Sequence, residues 1–177
     1  MAIHTVTRTI RIDQAADDAI QKYARDEKIS ANFLINRALR AYLEWQIAVQ
    51  KFGLSTIQKS QLIKLIAPFD DNECKAMGAW AARESFKPLA EHQFSRLDFE
   101  ASIEILRRFS EYGRCYEFDY VSVGKRHTLF IKHSSGTKWS YYYNGLIKAV
   151  FEGMLGLKVD FEFTEELCIA QIDLGII

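Results

Sequence analysis

The sequence predicts an α+β chain in two parts, and three observations carry that expectation. Residues 5–12 alternate polar and apolar with the period of a strand, two capped helical stretches follow, and beyond Gly113 the period changes from 3.6 back to 2. The expected order is a short strand, two helices, a further helical segment and a C-terminal ββαββ domain. With 177 residues, 49% hydrophobic and 26% charged, the chain has an ordinary globular composition and enough length for one or two domains.

In Thr5-Val6-Thr7-Arg8-Thr9-Ile10-Arg11-Ile12 the alternation places Val6, Ile10 and Ile12 on one face and Thr5, Thr7, Thr9 and Arg11 on the other. One face is apolar; the opposite one is small, polar and cationic. Asp13 is positioned to cap a first helix, with Asp17 and Asp18 near its positive end. Ala16, Ala19, Ile20, Tyr23 and Ala24 fall at helical spacing as the stripe to be buried. Asp26-Glu27-Lys28 is a polar exit, and Ser30 caps a second helix with Leu34, Ala38, Ala41, Tyr42 and Trp45 on one face and Ile35 and Leu39 alongside.

A lone strand before two helices cannot satisfy its own backbone donors and acceptors. The nearest partner is the same strand of a second chain, and antiparallel pairing about a two-fold axis would turn Thr7, Thr9 and Arg11 outward. Such a ribbon fits the major groove of B-DNA, where Arg can bond guanine edges and Thr a base edge or a thymine methyl. The apolar groups of this short region exceed what about 40 residues can cover, which also points to an obligate dimer.

With its strand, Asp13-capped helix and Ser30-capped helix, this region resembles the ribbon-helix-helix repressors of the MetJ/Arc type. The resemblance implies a homodimer on double-stranded DNA, with bases read by Thr7, Thr9 and Arg11. The electrostatics of the turn agree: the backbone amides of Ala31 and Asn32, the Ser30 hydroxyl and the Lys28 ammonium are suited to a DNA phosphate. The competing reading is that Ser30 is only a cap and the strand only a solvated edge.

Charge does not decide the matter. Residues 1–51 carry 8 Lys+Arg against 6 Asp+Glu and the remainder 15 against 17, for a formal net charge of zero. The three cysteines, Cys74, Cys115 and Cys168, are widely spaced with no C-x-x-C pair, and the start has no signal-peptide pattern. No apolar run approaches a bilayer span. The expectation is a reduced, cytoplasmic protein with no membrane partner, no cofactor and no metal site; zinc held by these cysteines with His92, His127 and His133 is the weaker alternative to ordinary thiols.

Helix two reads on through Trp45, Ile47, Ala48 and Val49 to Phe52, with Gly53 as its terminator. The expected domains are therefore 1–52 and 54–177, joined by a short, mechanically coupling junction. Further helices are expected over Thr56–Ile66, Asp71 to about Phe86 with Asp70 or Asp71 as cap, and Phe94–Tyr112. Ile57, Leu62, Leu65 and Ile66 form one core-facing stripe, and Ile103, Leu106 and Phe109 part of another. Met77, Trp80 and Phe86 read as core, with the lining of a ligand pocket as the weaker alternative.

Cys115–Val123 and His127–His133 then alternate around Gly124-Lys125 as a hairpin. Ser134-Ser135-Gly136-Thr137 breaks the strand, Thr137 caps a helix from Lys138 to about Leu155, and Lys158–Phe163 and Cys168–Asp173 close the chain as strands. The stretch His133-Ser134-Ser135-Gly136-Thr137-Lys138-Trp139-Ser140, followed by the aromatic helix with Tyr141, Tyr142 and Tyr143, resembles the 4-vinyl-reductase-like domain. That domain shares its fold with TRAPP trafficking subunits and haem nitric-oxide sensors, and the resemblance implies a small-molecule effector. It departs from the pattern at Ser134, where an acid is expected, and lacks clustered cysteines.

His133, Gly136, Lys138, Trp139 and Tyr142 are thus candidates for a ligand pocket, or else for an architectural turn in which Gly136 permits the bend and Trp139 anchors the helix. Gly136-Thr137-Lys138 is not a phosphate loop, because no glycine stands five residues earlier. No nucleophile is fixed near His127 or His133 by spacing, so catalysis is not expected. The sequence reads as a homodimeric, sequence-specific DNA-binding transcriptional regulator whose C-terminal domain senses a small molecule or sets oligomeric state. The alternatives are an antitoxin-like or adaptor protein with a protein partner, and a C-terminal enzyme.

Overall fold

A computed structural model describes residues 6–175 and divides into two compact units, Met1–Leu43 and Glu44–Ile177. The fold is mixed α and β, with all strands of the described residues in the second unit. Among the described residues no helix is long and apolar enough to cross a membrane.

In the first unit, residues 6–13 carry no regular secondary structure, and Thr5, the first residue of the expected strand, lies outside the described residues. The strand expected over Thr5–Ile12 is therefore not formed within one chain. The reason is the one its isolation suggests: the described residues of the unit hold no other strand to complete a ladder. Helix α1, Gln14–Asp26, starts where Asp13 Oδ1 accepts from the Ala16 amide at 2.8 Å. It ends with Lys28 N–H donating to Arg25 O and Ile29 N–H to Ala24 O, while Lys28 takes a left-handed φ of 55°. This double reverse bond satisfies two carbonyls left over at the helix end. Helix α2, Ala31–Ala41, is capped by Ser30 Oγ, which accepts from the Phe33 amide at 3.1 Å.

The stripes expected to be buried are only partly covered. Of the α1 stripe only Ala24 is buried; Ala19 and Tyr23 are exposed, as are Ala38, Leu39 and Tyr42 of the second helix. The physical cause is size, since two short helices cannot enclose that much apolar surface between them.

Helical residues continue through a wider π-helical turn, Tyr42–Gln46, into α3, Ile47–Phe52, and stop at Gly53, whose φ of +64° suits a residue without Cβ. The units nevertheless divide at Leu43/Glu44, ten residues before the boundary read from Gly53. The side chains explain why. Tyr112 Oη donates to Glu44 Oε2 at 2.7 Å, and the Glu44 carbonyl accepts from Gln93 Nε2 at 2.8 Å and Arg108 Nη1 at 3.3 Å. Trp45 meets Phe109 edge to face at 5.0 Å. Residues 44–52 thus belong to the second unit's packing.

Helix α4, Lys59–Ile66, begins three residues later than expected, and of its stripe Ile57 and Leu65 are exposed. Asp70 opens α5, Asp71–Ala81, in a reciprocal box: its carboxylate accepts from the Glu73 amide, and Glu73 accepts from the Asp70 amide at 2.7 Å. Trp80, read as core, is 56% exposed. The helical run does not stop near Phe86 but continues through a π-helical turn, Ala82–Phe86, into α6, Lys87–Phe94. Pro88 has no N–H and would press on the carbonyl four residues back; the wider turn, in which Lys87 N–H reaches back to Ala82 O, lets the helix pass it. Ser95, at φ 57°, ends the run, so α7 spans Phe99–Glu111, capped by Asp98, rather than starting at Phe94.

The strands are β1, Glu117–Val123, β2, Arg126–Lys132, β3, Val159–Phe163, and β4, Leu167–Asp173, in the antiparallel order β1-β2-β4-β3. Between β2 and β3 runs α8, Thr137–Lys148, extended by a π-helical turn, Ala149–Met154. Gly136 at φ +83° is its N-cap residue; Thr137, expected as the cap, is already inside the helix and makes no side-chain cap bond. Leu129, Ile131, Cys168, Ala170 and Ile172 point to the covered face of the sheet, where α7 packs on β1 and α8 on β3 and β4.

Helix α5 packs on α8 at unusually short range. A Cβ built on Gly78 would lie 1.9 Å from Tyr142 O, and one on Gly145 would lie 2.0 Å from Lys75 O. Two glycines, one on each helix, let the backbones touch.

Candidate functional site

In the first unit, Thr7, Thr9 and Arg11 are exposed, and among the described residues no hydrogen bond or ion pair engages their side chains. Ser30 spends its hydroxyl oxygen on the Phe33 amide, and Asn32 receives Asn36 Nδ2 on its carbonyl at 2.8 Å. The amides of Ala31 and Asn32 have no acceptor among the described residues. No acidic residue stands in the first turn of α2. Two free N–H groups at the positive end of an 11-residue helix, with the exposed Lys28 before them, can donate to a phosphate oxygen.

In the second unit the five pocket candidates have separate roles. His133 is buried and fully engaged: its Nδ1 accepts from the Ser135 amide at 3.3 Å, leaving Nε2–H for Ser140 Oγ at 3.1 Å, and Ser140 in turn donates to Thr164 O at 2.6 Å. Burial, helped by the Lys59 charge, lowers its pKa from 6.5 to about 4, so the ring is neutral. Lys138 donates to the carbonyls of Ala67 and Phe69 at the end of α4, the latter at 2.5 Å. Gly136 makes the turn. Tyr142 packs edge to face on Trp139 at 4.9 Å, and burial pushes its phenol up to about 12. Of the five, Trp139 lines a small cavity and His133 the wider cleft beside it, but only the Trp139 N–H is left without a partner.

That cavity, of about 60 Å³, is lined by Ile57, Lys59, Leu62, Arg114, Cys115, Ser135, Trp139 and Tyr143 among others. Trp139 is 9% exposed, and its indole Nε1–H is buried with no hydrogen-bond partner. Lys59 donates to Ser134 Oγ at 3.0 Å. An outer cleft of about 340 Å³ shares Lys59 and Arg114 with the cavity and is also lined by Lys132, Glu117 and Glu166. Sequence reading reached Trp139 but neither Lys59 nor Arg114, because nothing local links residues 59, 114 and 139; only tertiary folding does.

Burial raises the thiols of Cys74, Cys115 and Cys168, the last to about 12, so none is a ready thiolate. Among the described residues no three His, Cys, Asp or Glu side chains gather as a metal site. No protein-family model matches the sequence, and no curated protein is detectably similar to it.

Proposed function

We propose that the chain is a homodimeric, sequence-specific DNA-binding transcriptional regulator that acts in the cytoplasm, reads the major groove with a two-stranded ribbon made from residues 5–12 of two copies, and senses a small molecule through its C-terminal unit. The observation that carries this reading is the exposed apolar surface of the first unit. Val6, Ile10, Ile12, Tyr23, Phe33, Leu39 and Leu43 are between 44% and 74% exposed. Large side chains left out to this degree on so small a unit mark an association surface.

A second copy supplies both things the unit lacks, an antiparallel partner for residues 6–12 and a cover for the α1 and α2 stripes. Fully burying each such side chain is worth about 1.5–3 kcal/mol, ample to offset the cost of bringing two chains together. Thr7, Thr9 and Arg11 then lie on the outer face, and the Ala31 and Asn32 amides of each copy are free for flanking phosphates. Amide hydrogen exchange on the full chain tests the ribbon. Protection of Val6–Ile12 that rises with protein concentration, in parallel with dimer formation by sedimentation, is the expected result. A sedimenting dimer with these amides unprotected would overturn the reading.

A further inference from the structure

The Trp139 indole N–H is the one buried side-chain nitrogen or oxygen among the described residues with no partner. Leaving a buried donor unmade costs about 1–3 kcal/mol, and native structures rarely carry that cost without a use. The cavity beside it has a one-sided lining: two cations, Lys59 and Arg114, and no carboxylate. Of the three protons on Lys59, one goes to Ser134, leaving two for another acceptor. Arg114 is exposed, makes no ion pair among the described residues, and occupies a left-handed backbone conformation at φ 51°. Ile57, Leu62 and Tyr143 supply apolar wall.

We propose that this cavity binds a small organic monocarboxylate, with one oxygen accepting the Trp139 indole N–H and the charge held by Lys59 and Arg114. The volume sets the size. A single water fills roughly 10–15 Å³, so a cavity of about 60 Å³ holds a carboxylate with one or two carbons. Anything larger extends into the outer cleft. There Glu117, ion-paired with Lys132 at 3.9 Å, and Glu166 disfavour a second negative charge. That arrangement selects a monoanion with an apolar body over phosphate or a dicarboxylate. This assignment gives a ligand class to the sensor part of the function proposed above and rests on that part only for its consequence; binding itself does not require DNA.

The test uses the full chain labelled with ¹⁵N and no DNA, following the indole N–H resonances of Trp45, Trp80 and Trp139 while sodium acetate, propionate or benzoate is added at constant ionic strength. The expected result is a saturating shift confined to the Trp139 indole. Lys59→Gln and Arg114→Gln, both changes at exposed side chains, should each weaken binding about tenfold, the equivalent of 1.4 kcal/mol, without moving the other two indoles. Trp139→Phe identifies the resonance. A Trp139 signal that stays still, shifts without saturating, or responds equally to chloride would overturn the proposal. Saturation by inorganic phosphate and not by a carboxylate would overturn the ligand class. Carboxylate binding by a chain that selects no duplex would refute the regulator reading and leave this site standing.

Discussion

Replacing Gly78 by Ala should destabilise the second unit, although alanine is the better helix former. The added Cβ would meet Tyr142 O at 1.9 Å, where ordinary contact begins near 3.4 Å. Relief requires α5 and α8 to move apart by roughly 1.5 Å, and the atom in the way is backbone, not the tip of a flexible side chain. Forcing extra atoms into a packed contact typically costs about 1–3 kcal/mol, outweighing the gain of about 0.5–1 kcal/mol from the helix propensity of alanine. The expected net loss is about 1–2 kcal/mol, and Gly145→Ala, opposed by Lys75 O at 2.0 Å, should behave alike. Gly153→Ala is the matched control, because its Cβ would find nothing nearer than Lys148 O at 4.0 Å; it should gain stability. Urea unfolding of the three variants reads the sign directly. A Gly78→Ala protein as stable as Gly153→Ala would refute the close crossing.

Three further outcomes follow from particular contacts. The His133 pKa is about 4 in the fold against an ordinary 6.5, so the unfolded chain takes up the proton first; stability is full above pH 6.5 and falls by up to about 3 kcal/mol as pH drops toward 4. His133→Gln should flatten that part of the curve, and an unchanged slope would mean another group causes it. Lys28→Gly should stabilise the first unit by about 1 kcal/mol, because φ 55° suits glycine; the same change should reduce the salt dependence of DNA binding by about one charge, and a variant equally salt-sensitive would remove Lys28 from the phosphate contacts. Arg11→Ala should cost roughly 1–3 kcal/mol of binding and relax preference at one base position, whereas uniform weakening on all duplexes would assign Arg11 to phosphate.

What could be read from the sequence is what local chemistry decides. Asp13, Ser30 and Asp70 cap helices because each is followed by amides its own side chain can reach, and Gly53 stops a helix because the left-handed turn needs no Cβ. The two hairpins follow from alternation, helped in the first by the Gly124-Lys125 turn. The helix expected to end near Phe86 runs on to Phe94 because the Ala82–Phe86 turn accommodates Pro88, a device with no local signature. Leu65 and Trp80 look like core residues by type and spacing, yet which side of a helix is covered depends on elements far along the chain. The same limit hid the cavity, where Trp139 was legible as part of an unusual turn while Lys59 and Arg114 reach it through the packing of α4 and the segment before β1.

The central claim, a dimeric ribbon that reads sequence, meets its most direct test in selection from a randomised duplex library at moderate and then higher salt. The account predicts recovery of a palindromic site with two short half-sites, retained at the higher salt and lost on Arg11→Ala. No enrichment, or binding that fades uniformly with salt for every sequence, would contradict it and assign the exposed apolar face of the first unit to a protein partner.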